Sequence, residues 1–116
     1  MRDYLIAVAT VQSKTKRGAF AKLLRRVWQR TNAFADSLPE EEREMVRGAV
    51  GCYFGKWLFA VRADCEPDKD AEARYRKHIS ACDRKYLVNY LPLTGAARET
   101  VDEILAEIDA FFANVR

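Results

Sequence analysis

The sequence has few of the residues that mark enzymes, metal proteins and secreted proteins. Its 116 residues include one histidine and three cysteines; Cys52, Cys65 and Cys82 are widely spaced and form no C-x-x-C pair. A set that is odd in number and scattered encodes neither a disulfide framework nor a zinc site. No glycine loop has P-loop or Rossmann spacing, and no acid–base pair is marked by spacing. The sequence therefore predicts a protein that is not an enzyme, with no catalytic residue, metal or cofactor.

Glycine, proline and long apolar runs are scarce as well. Five glycines and three prolines are too few for an all-β fold with many tight turns. The longest apolar run, Gly48 to Val61, is interrupted by Lys56 and is shorter than the roughly 20 residues that span a bilayer. Asp3 lies in the segment that a signal peptide would keep basic. We therefore expect a cytoplasmic protein without a membrane partner.

Charge is sorted along the chain in four blocks. The net charge is +6 for residues 1–38, −3 for residues 39–70, +3 for residues 71–93 and −3 for residues 94–116, within a chain whose net charge is +3. The small total therefore conceals strong local polarity. Alternating basic and acidic blocks predict a surface that meets an anion, for which nucleic acid is the leading candidate.

Hydrophobic periodicity predicts four helices, at about residues 18–38, 39–62, 71–91 and 96–115, separated by short polar segments. Short loops join antiparallel neighbours, so the expected fold is all-α, an up-down antiparallel four-helix bundle in one domain over residues 18–116. Ser37 and Glu40 are expected to form the capping box of the second helix. Residues 1–17 fit a helix or a strand; helix is favoured because a lone strand would need a partner from another chain.

The second helix differs from the others because it is apolar nearly all round. Three of its glycines fall on one side, making a smooth groove that another backbone could approach. In a monomeric bundle each helix keeps a solvent face, so this pattern predicts a homo-oligomer. The expected subunit interface consists of Gly48, Gly51, Phe54, Gly55 and Leu58.

The first and third helices carry basic faces that lack acidic partners at i, i+4. Lysine and arginine contacts to phosphates would give sequence-independent, salt-sensitive binding, and no motif for reading bases is present. His78 lies in the apolar stripe of the third helix and is predicted to be a core or interface residue. The candidate nucleic-acid-binding residues are Lys14, Lys16, Arg17, Lys22, Arg25, Arg26, Arg30, Arg74, Lys77, Arg84 and Lys85.

The arrangement resembles the four-helix-bundle family of rRNA intervening-sequence proteins and of the accessory variability determinant of diversity-generating retroelements. The resemblance covers about Phe20 to Val115. It rests on the pattern Phe34-x3-Leu38-Pro39 followed by Glu42-Arg43, the apolar second helix, the basic third helix, and a last helix with Ile104-Leu105-x-Glu107-Ile108. Asp109-Ala-Phe-Phe stands where the retroelement type usually has a Gly-Arg pair and a late Trp.

This resemblance implies a pentameric barrel whose basic surface binds RNA and partners a reverse transcriptase. Carried over to this chain, the binding positions are Arg25, Arg26, Arg30, Arg74, Lys77, Arg84 and Lys85. The expected function is that of a non-enzymatic, oligomeric accessory protein that binds RNA or a ribonucleoprotein partner. The alternative is a protein–protein adaptor whose sorted charges drive self-association without nucleic acid.

Overall fold

The structure, a computed structural model, describes residues 14–115, and the side chains in that range except those of residues 14–17, 19, 65, 114 and 115. It contains four helices in this range, α1 (Lys14–Ala35), α2 (Glu40–Cys65), α3 (Lys69–Tyr90) and α4 (Gly95–Val115), and no strand. The prediction of an all-α protein with four helices is therefore confirmed. α1 begins at Lys14 rather than at Gly18, and the choice between helix and strand for residues 1–13 lies outside the described residues.

Cross-helix contacts show that the helices run up and down. Arg30 on α1 donates to Glu103 on α4 at 2.6 Å, and Arg26, one turn earlier, donates to Glu107, one turn later, so α1 and α4 are antiparallel. α2 and α3 are antiparallel in the same way, because Lys56 reaches Asp83 while Arg62 reaches Tyr75.

The core is formed by the apolar stripes of α1 and α4 against α2. Phe112 lies at its centre: its ring stacks on Trp57 with centroids 5.1 Å apart and meets Phe54 edge-on at 5.7 Å. Phe20 closes the cluster from α1, with its centroid 5.3 Å from that of Phe112. α1 and α4 together supply more than half of the buried side chains, among them Leu23, Leu24, Val27, Ala35, Val101, Ile104 and Ile108.

α2 is central because it packs against each of the other three helices. Phe54 and Leu58, two of the residues assigned to a subunit interface, are 0% and 1% exposed in the single chain. Gly51 and Gly55 are buried as well. Packing within the single chain therefore explains why α2 is apolar nearly all round. These four residues expose almost no surface that a second subunit could contact.

Gly48, the remaining member of that set, lies against α3. A Cβ atom at this position would be 2.7 Å from Cγ of Asn89, closer than real contacts allow. Asn89 is held in place by a hydrogen bond from its Nδ2 to the Lys85 carbonyl at 2.8 Å. The group that lies against the glycine side of α2 at Gly48 is therefore the Asn89 side chain of α3.

α3 is peripheral, contrary to the expectation of an inward apolar stripe. Among the described residues it packs extensively only on α2, and Ala71 is its one buried residue. His78, predicted for the core or an interface, is exposed in the chain. At the far end, Leu87, Val88 and Leu91 are 40%, 73% and 62% exposed. One side of α3 is thus left uncovered by the described part of the chain.

The α1–α2 connection is stabilised by arginine rather than by the predicted capping box. The N-cap of α2 is Pro39, with no side-chain hydrogen bond, and the Ser37 hydroxyl donates instead to the Phe34 carbonyl at 2.6 Å. Arg43 donates from Nε to the Ala35 carbonyl and from Nη2 to the Leu38 carbonyl, at 3.3 and 3.1 Å. The Ala35 carbonyl also accepts from the backbone N–H of Leu38 at 2.9 Å. A cation beside the C-terminal end of α1 also offsets the helix dipole.

Candidate nucleic-acid interface

The structure divides the described basic side chains of α1, those from Lys22 onward, into two groups. Arg26 and Arg30 lie on the flank that faces α4, where they pair with Glu107 and Glu103. Lys22 and Arg25 are exposed and form no ion pair with any described side chain. At about 100° per residue these two point away from the apolar stripe. Only this second group leaves its charge available to a ligand.

α3 has one flank of unpaired cations. Arg74 and Lys85 fall within an arc of about 60° that also contains His78 and Ala81, since these residues follow one another at helical spacing. Lys77 continues the same side of the helix, together with Arg84. All four cations are exposed, and none forms an ion pair with a described side chain. They are Arg74, Lys77, Arg84 and Lys85, which we call the α3 basic row.

The other flank of α3 is neutralised. Arg76 bonds Glu72 at 2.9 Å, with Asp64 3.7 Å away, and Asp83 accepts from Lys56 of α2 at 2.7 Å. Two of the three acidic residues of α3, Glu72 and Asp83, therefore pair with cations outside the basic row. The net charge of +3 on residues 71–93 is therefore concentrated on one side of α3. A positive electrostatic potential on one side of a helix attracts a polyanion.

The side chains of Lys14, Lys16 and Arg17, the first three predicted binding residues, lie outside the described residues. The other eight predicted residues fall into the paired flank of α1, its outward face and the α3 basic row. Whether any of them contacts nucleic acid stays a prediction.

Sequence reasoning missed Arg62, a residue of α2 whose side chain reaches Tyr75 on α3. Its guanidinium is 4.4 Å above the centroid of the Tyr75 ring, and Nη2 donates to the Tyr75 hydroxyl at 2.7 Å. With Phe59, these residues line a groove that also reaches His78 and Lys85. The only signal in the sequence was a cation three residues after Phe59 in a largely apolar helix. Its partner, Tyr75, belongs to another helix and could not be identified from spacing within α2.

A second aromatic cluster, with members Tyr53, Trp57, Tyr86 and Tyr90, lies where α2, α3 and α4 meet. Asp109 accepts from the Tyr53 hydroxyl at 2.6 Å and from Trp57 Nε1 at 2.9 Å. Burial, assisted by the Asp109 carboxylate, raises the pKa of Tyr53, and burial next to Tyr90 raises the pKa of Tyr86 to about 12. These phenols stay protonated near neutrality, so the cluster acts as a structural connection and leaves the charge pattern unchanged.

The thiols are not arranged as reactive or metal-binding groups in the described part of the chain. Cys52 and Cys82 are half-buried and free, and burial raises the pKa of both. A raised pKa lowers the thiolate fraction on which cysteine chemistry depends. Among the side chains described for residues 14–115, no three His, Cys, Asp or Glu come together as a metal site.

No helix within residues 14–115 combines the length and apolar content needed to cross a membrane. Comparisons of the chain with protein-family models, with curated proteins and with solved structures find no match. The family resemblance therefore rests on residue patterns alone, and the functional argument rests on the geometry described above.

Proposed function

We propose that the protein is a non-enzymatic, cytoplasmic accessory factor that binds RNA, or a ribonucleoprotein partner such as a reverse transcriptase with its template, through the α3 basic row. The observation that carries the proposal is the absence of ion-pair partners for these four cations among the described side chains, next to a flank whose charges are paired. Unpaired cations can exchange counterions for phosphates, whereas paired cations must first break an ion pair. Lys22 and Arg25 are further exposed cations, on α1.

The experiment compares two double variants that remove the same charge. Lys77→Ala with Arg84→Ala removes two members of the basic row, and Lys56→Ala with Arg76→Ala removes two paired cations. We expect the first variant to bind RNA more weakly and to lower the slope of log affinity against log salt by about two, one for each lost phosphate contact. The second variant should bind nearly as the parent does.

The proposal is wrong if the parent protein shows no salt-dependent RNA binding. Equal weakening by the two double variants also contradicts it, because the effect would then follow net charge rather than the position of the cations. Circular dichroism and thermal unfolding of each variant confirm that the helices are retained.

Self-association is the second part of the proposal, as the family resemblance implies a pentamer. Its support in the chain is the exposed apolar set Leu87, Val88 and Leu91, because large apolar side chains left in water favour association. Light scattering after gel filtration, at low and high salt, should give a mass near five times 13.3 kDa. Val88→Lys with Leu91→Lys should lower that mass, and a monomeric parent protein contradicts the proposal.

The alternative function, an adaptor that self-associates by charge, is favoured by the exposed acidic start of α2. Glu40, Glu41 and Glu42 lie in its first turn, and no described side chain forms an ion pair with them. They could meet the α3 basic row of another subunit. In that case the double variant Lys77→Ala with Arg84→Ala forms a smaller oligomer than the parent protein, and its RNA affinity does not fall. The oligomer mass should also decrease as the salt concentration rises.

A further inference from the structure

The groove between α2 and α3 has the size of a small-molecule site. Its volume is about 400 Å³, within the roughly 300–1,000 Å³ typical of ligand pockets. Phe59 and Arg62 line it from α2, and Tyr75, His78 and Lys85 line it from α3. It is flanked by the α3 basic row, of which Lys85 is a member. The groove therefore combines flat rings with cations in one place.

The rings of the groove are arranged as a stack. The Phe59 and His78 rings have centroids 4.9 Å apart and are inclined by only 19°, and Tyr75 lies 6.4 Å from Phe59 at 27°. Phe59 and Tyr75 are half-buried, whereas His78 is exposed, so part of the stack meets solvent. An exposed stack of this kind can be extended by another flat ring, and every nucleobase offers a π-face.

The cations beside the stack follow a line suited to a nucleic-acid backbone. Arg74 and Lys85 are eleven residues apart on α3, or about 16 Å along the helix axis. A stacked strand rises about 3.4 Å for each nucleotide, so this line matches roughly five nucleotides. Arg62 lies over Tyr75 and adds a planar guanidinium on which a base can also stack.

We propose that this groove stacks an unpaired base of single-stranded RNA whose phosphates lie along the α3 basic row. The inference rests on the proposed function and specifies its ligand, since it predicts a preference for single strands over duplex. In a duplex the bases are already paired and stacked, so the groove contributes nothing there and only the cations act. A single strand uses both the rings and the cations.

The test uses the full chain, a fluorescein-labelled single-stranded oligouridine and an RNA duplex of the same length. His78→Ala removes an exposed ring and leaves the core untouched, and Phe59→Leu removes the ring beneath it while keeping apolar bulk. Each should weaken single-strand binding by about 5- to 150-fold, the range given by loss of one base–aromatic stack. Duplex binding should stay within about twofold of the parent.

Two controls separate stacking from charge and from folding. His78→Phe restores a flat ring without a titratable nitrogen and should retain single-strand affinity. Phe34→Leu makes the same aromatic-to-aliphatic change at a half-buried ring outside the groove and should leave both affinities unaltered. A single strand carrying 2-aminopurine should lose fluorescence on binding the parent protein, as stacked bases do, and keep more of it with His78→Ala.

The outcomes distinguish the two proposals. If Lys77→Ala with Arg84→Ala weakens RNA binding while His78→Ala and Phe59→Leu change nothing, the groove proposal is wrong and the proposed function stands. That result would leave the groove to a protein partner. Equal weakening of single-strand and duplex binding by the ring variants also overturns the groove proposal. Absence of RNA binding by the parent protein overturns both.

Discussion

The hydroxyl of Tyr53 on α2 donates to the carboxylate of Asp109 on α4 across 2.6 Å, at the edge of the core. The same carboxylate oxygen accepts from Trp57 Nε1 at 2.9 Å. One acidic side chain therefore satisfies two aromatic donors that project from consecutive turns of the central helix. Because a half-buried donor without an acceptor is costly, this contact fixes how α4 sits on α2.

Removal of the Asp109 carboxylate should destabilise the fold more than removal of an exposed equivalent. We expect Asp109→Ala to lower the free energy of unfolding by about 1–3 kcal/mol, because two donors lose their acceptor. Asp102→Ala is the control: its carboxylate accepts from the Tyr90 hydroxyl, also at 2.6 Å, in an exposed position. Urea unfolding should show a smaller loss for that variant, and equal losses would contradict the importance given to Asp109.

The tyrosine cluster predicts a loss of stability at alkaline pH. The pKa of Tyr53 is raised by burial and by Asp109, and that of Tyr86 is raised to about 12. Near and above pH 10 the unfolded chain releases these protons while the folded chain retains them, so the free energy of unfolding falls as pH rises towards the folded pKa values.

Urea unfolding from about pH 8 to about pH 11.5 measures this dependence. The double variant Tyr53→Phe with Tyr86→Phe removes both titrating groups, so its free energy of unfolding should fall less steeply over the range. Identical slopes for the variant and the parent would show that other groups cause the alkaline loss. A stability that rose with pH would contradict the raised pKa values.

Two helical glycines should respond oppositely to alanine. No atom of the described side chains lies within 4 Å of a Cβ placed at Gly18, so Gly18→Ala should raise the free energy of unfolding by about 0.5–1 kcal/mol through helix propensity. Gly48→Ala places a methyl group 2.7 Å from Cγ of Asn89 and should lower stability by about 1 kcal/mol. Thermal and urea unfolding of both variants provide the comparison.

The contact between Gly48 and Asn89 can be isolated by a double-mutant cycle. Adding Asn89→Ala to Gly48→Ala removes the clashing atoms, so the double variant should recover the stability lost by Gly48→Ala, with a coupling of about 1 kcal/mol. Additive effects would show that α3 does not approach α2 closely at this point.

Neighbouring arginines on α1 should have different roles. Arg26→Glu places a carboxylate against Glu107 and should lower the free energy of unfolding by about 1 kcal/mol. Arg25→Glu changes the same charge at an exposed position without an ion pair to a described side chain, so stability should stay nearly constant and RNA affinity should fall. Adding Glu107→Arg to Arg26→Glu should restore stability; no recovery would contradict the pairing.

The motif that carried the family resemblance has a structural explanation in this chain. Glu42-Arg43 follows Leu38-Pro39 at a distance that lets Arg43 turn back and donate to the carbonyls of Ala35 and Leu38. Arg47, one turn later, reaches Asn32 and Asp36 at 3.0 and 3.1 Å. The sequence pattern indicated a connection between helices, but the arginine contacts that stabilise it depend on the angle at which the chain turns.

The candidate site could be predicted only in part. The sequence predicted Arg74, Lys77, Arg84 and Lys85 as surface cations, and the structure confirms that they are exposed. Spacing within one helix did not reveal that Arg26 and Arg30 face α4, because the partners of a charged side chain can come from any neighbouring helix. The groove formed by Phe59, Arg62 and His78 was missed for the same reason.

The sequence by itself determined the four helices, since apolar residues at helical spacing favour a helix that buries one stripe. Only the tertiary structure decided that α2 is central and α3 peripheral. Phe54 and Leu58 are buried inside the single chain, where sequence reasoning had assigned them to a subunit interface. The physical reason is that burial and ion pairing depend on which helices become neighbours, and this choice is made by contacts distant in sequence.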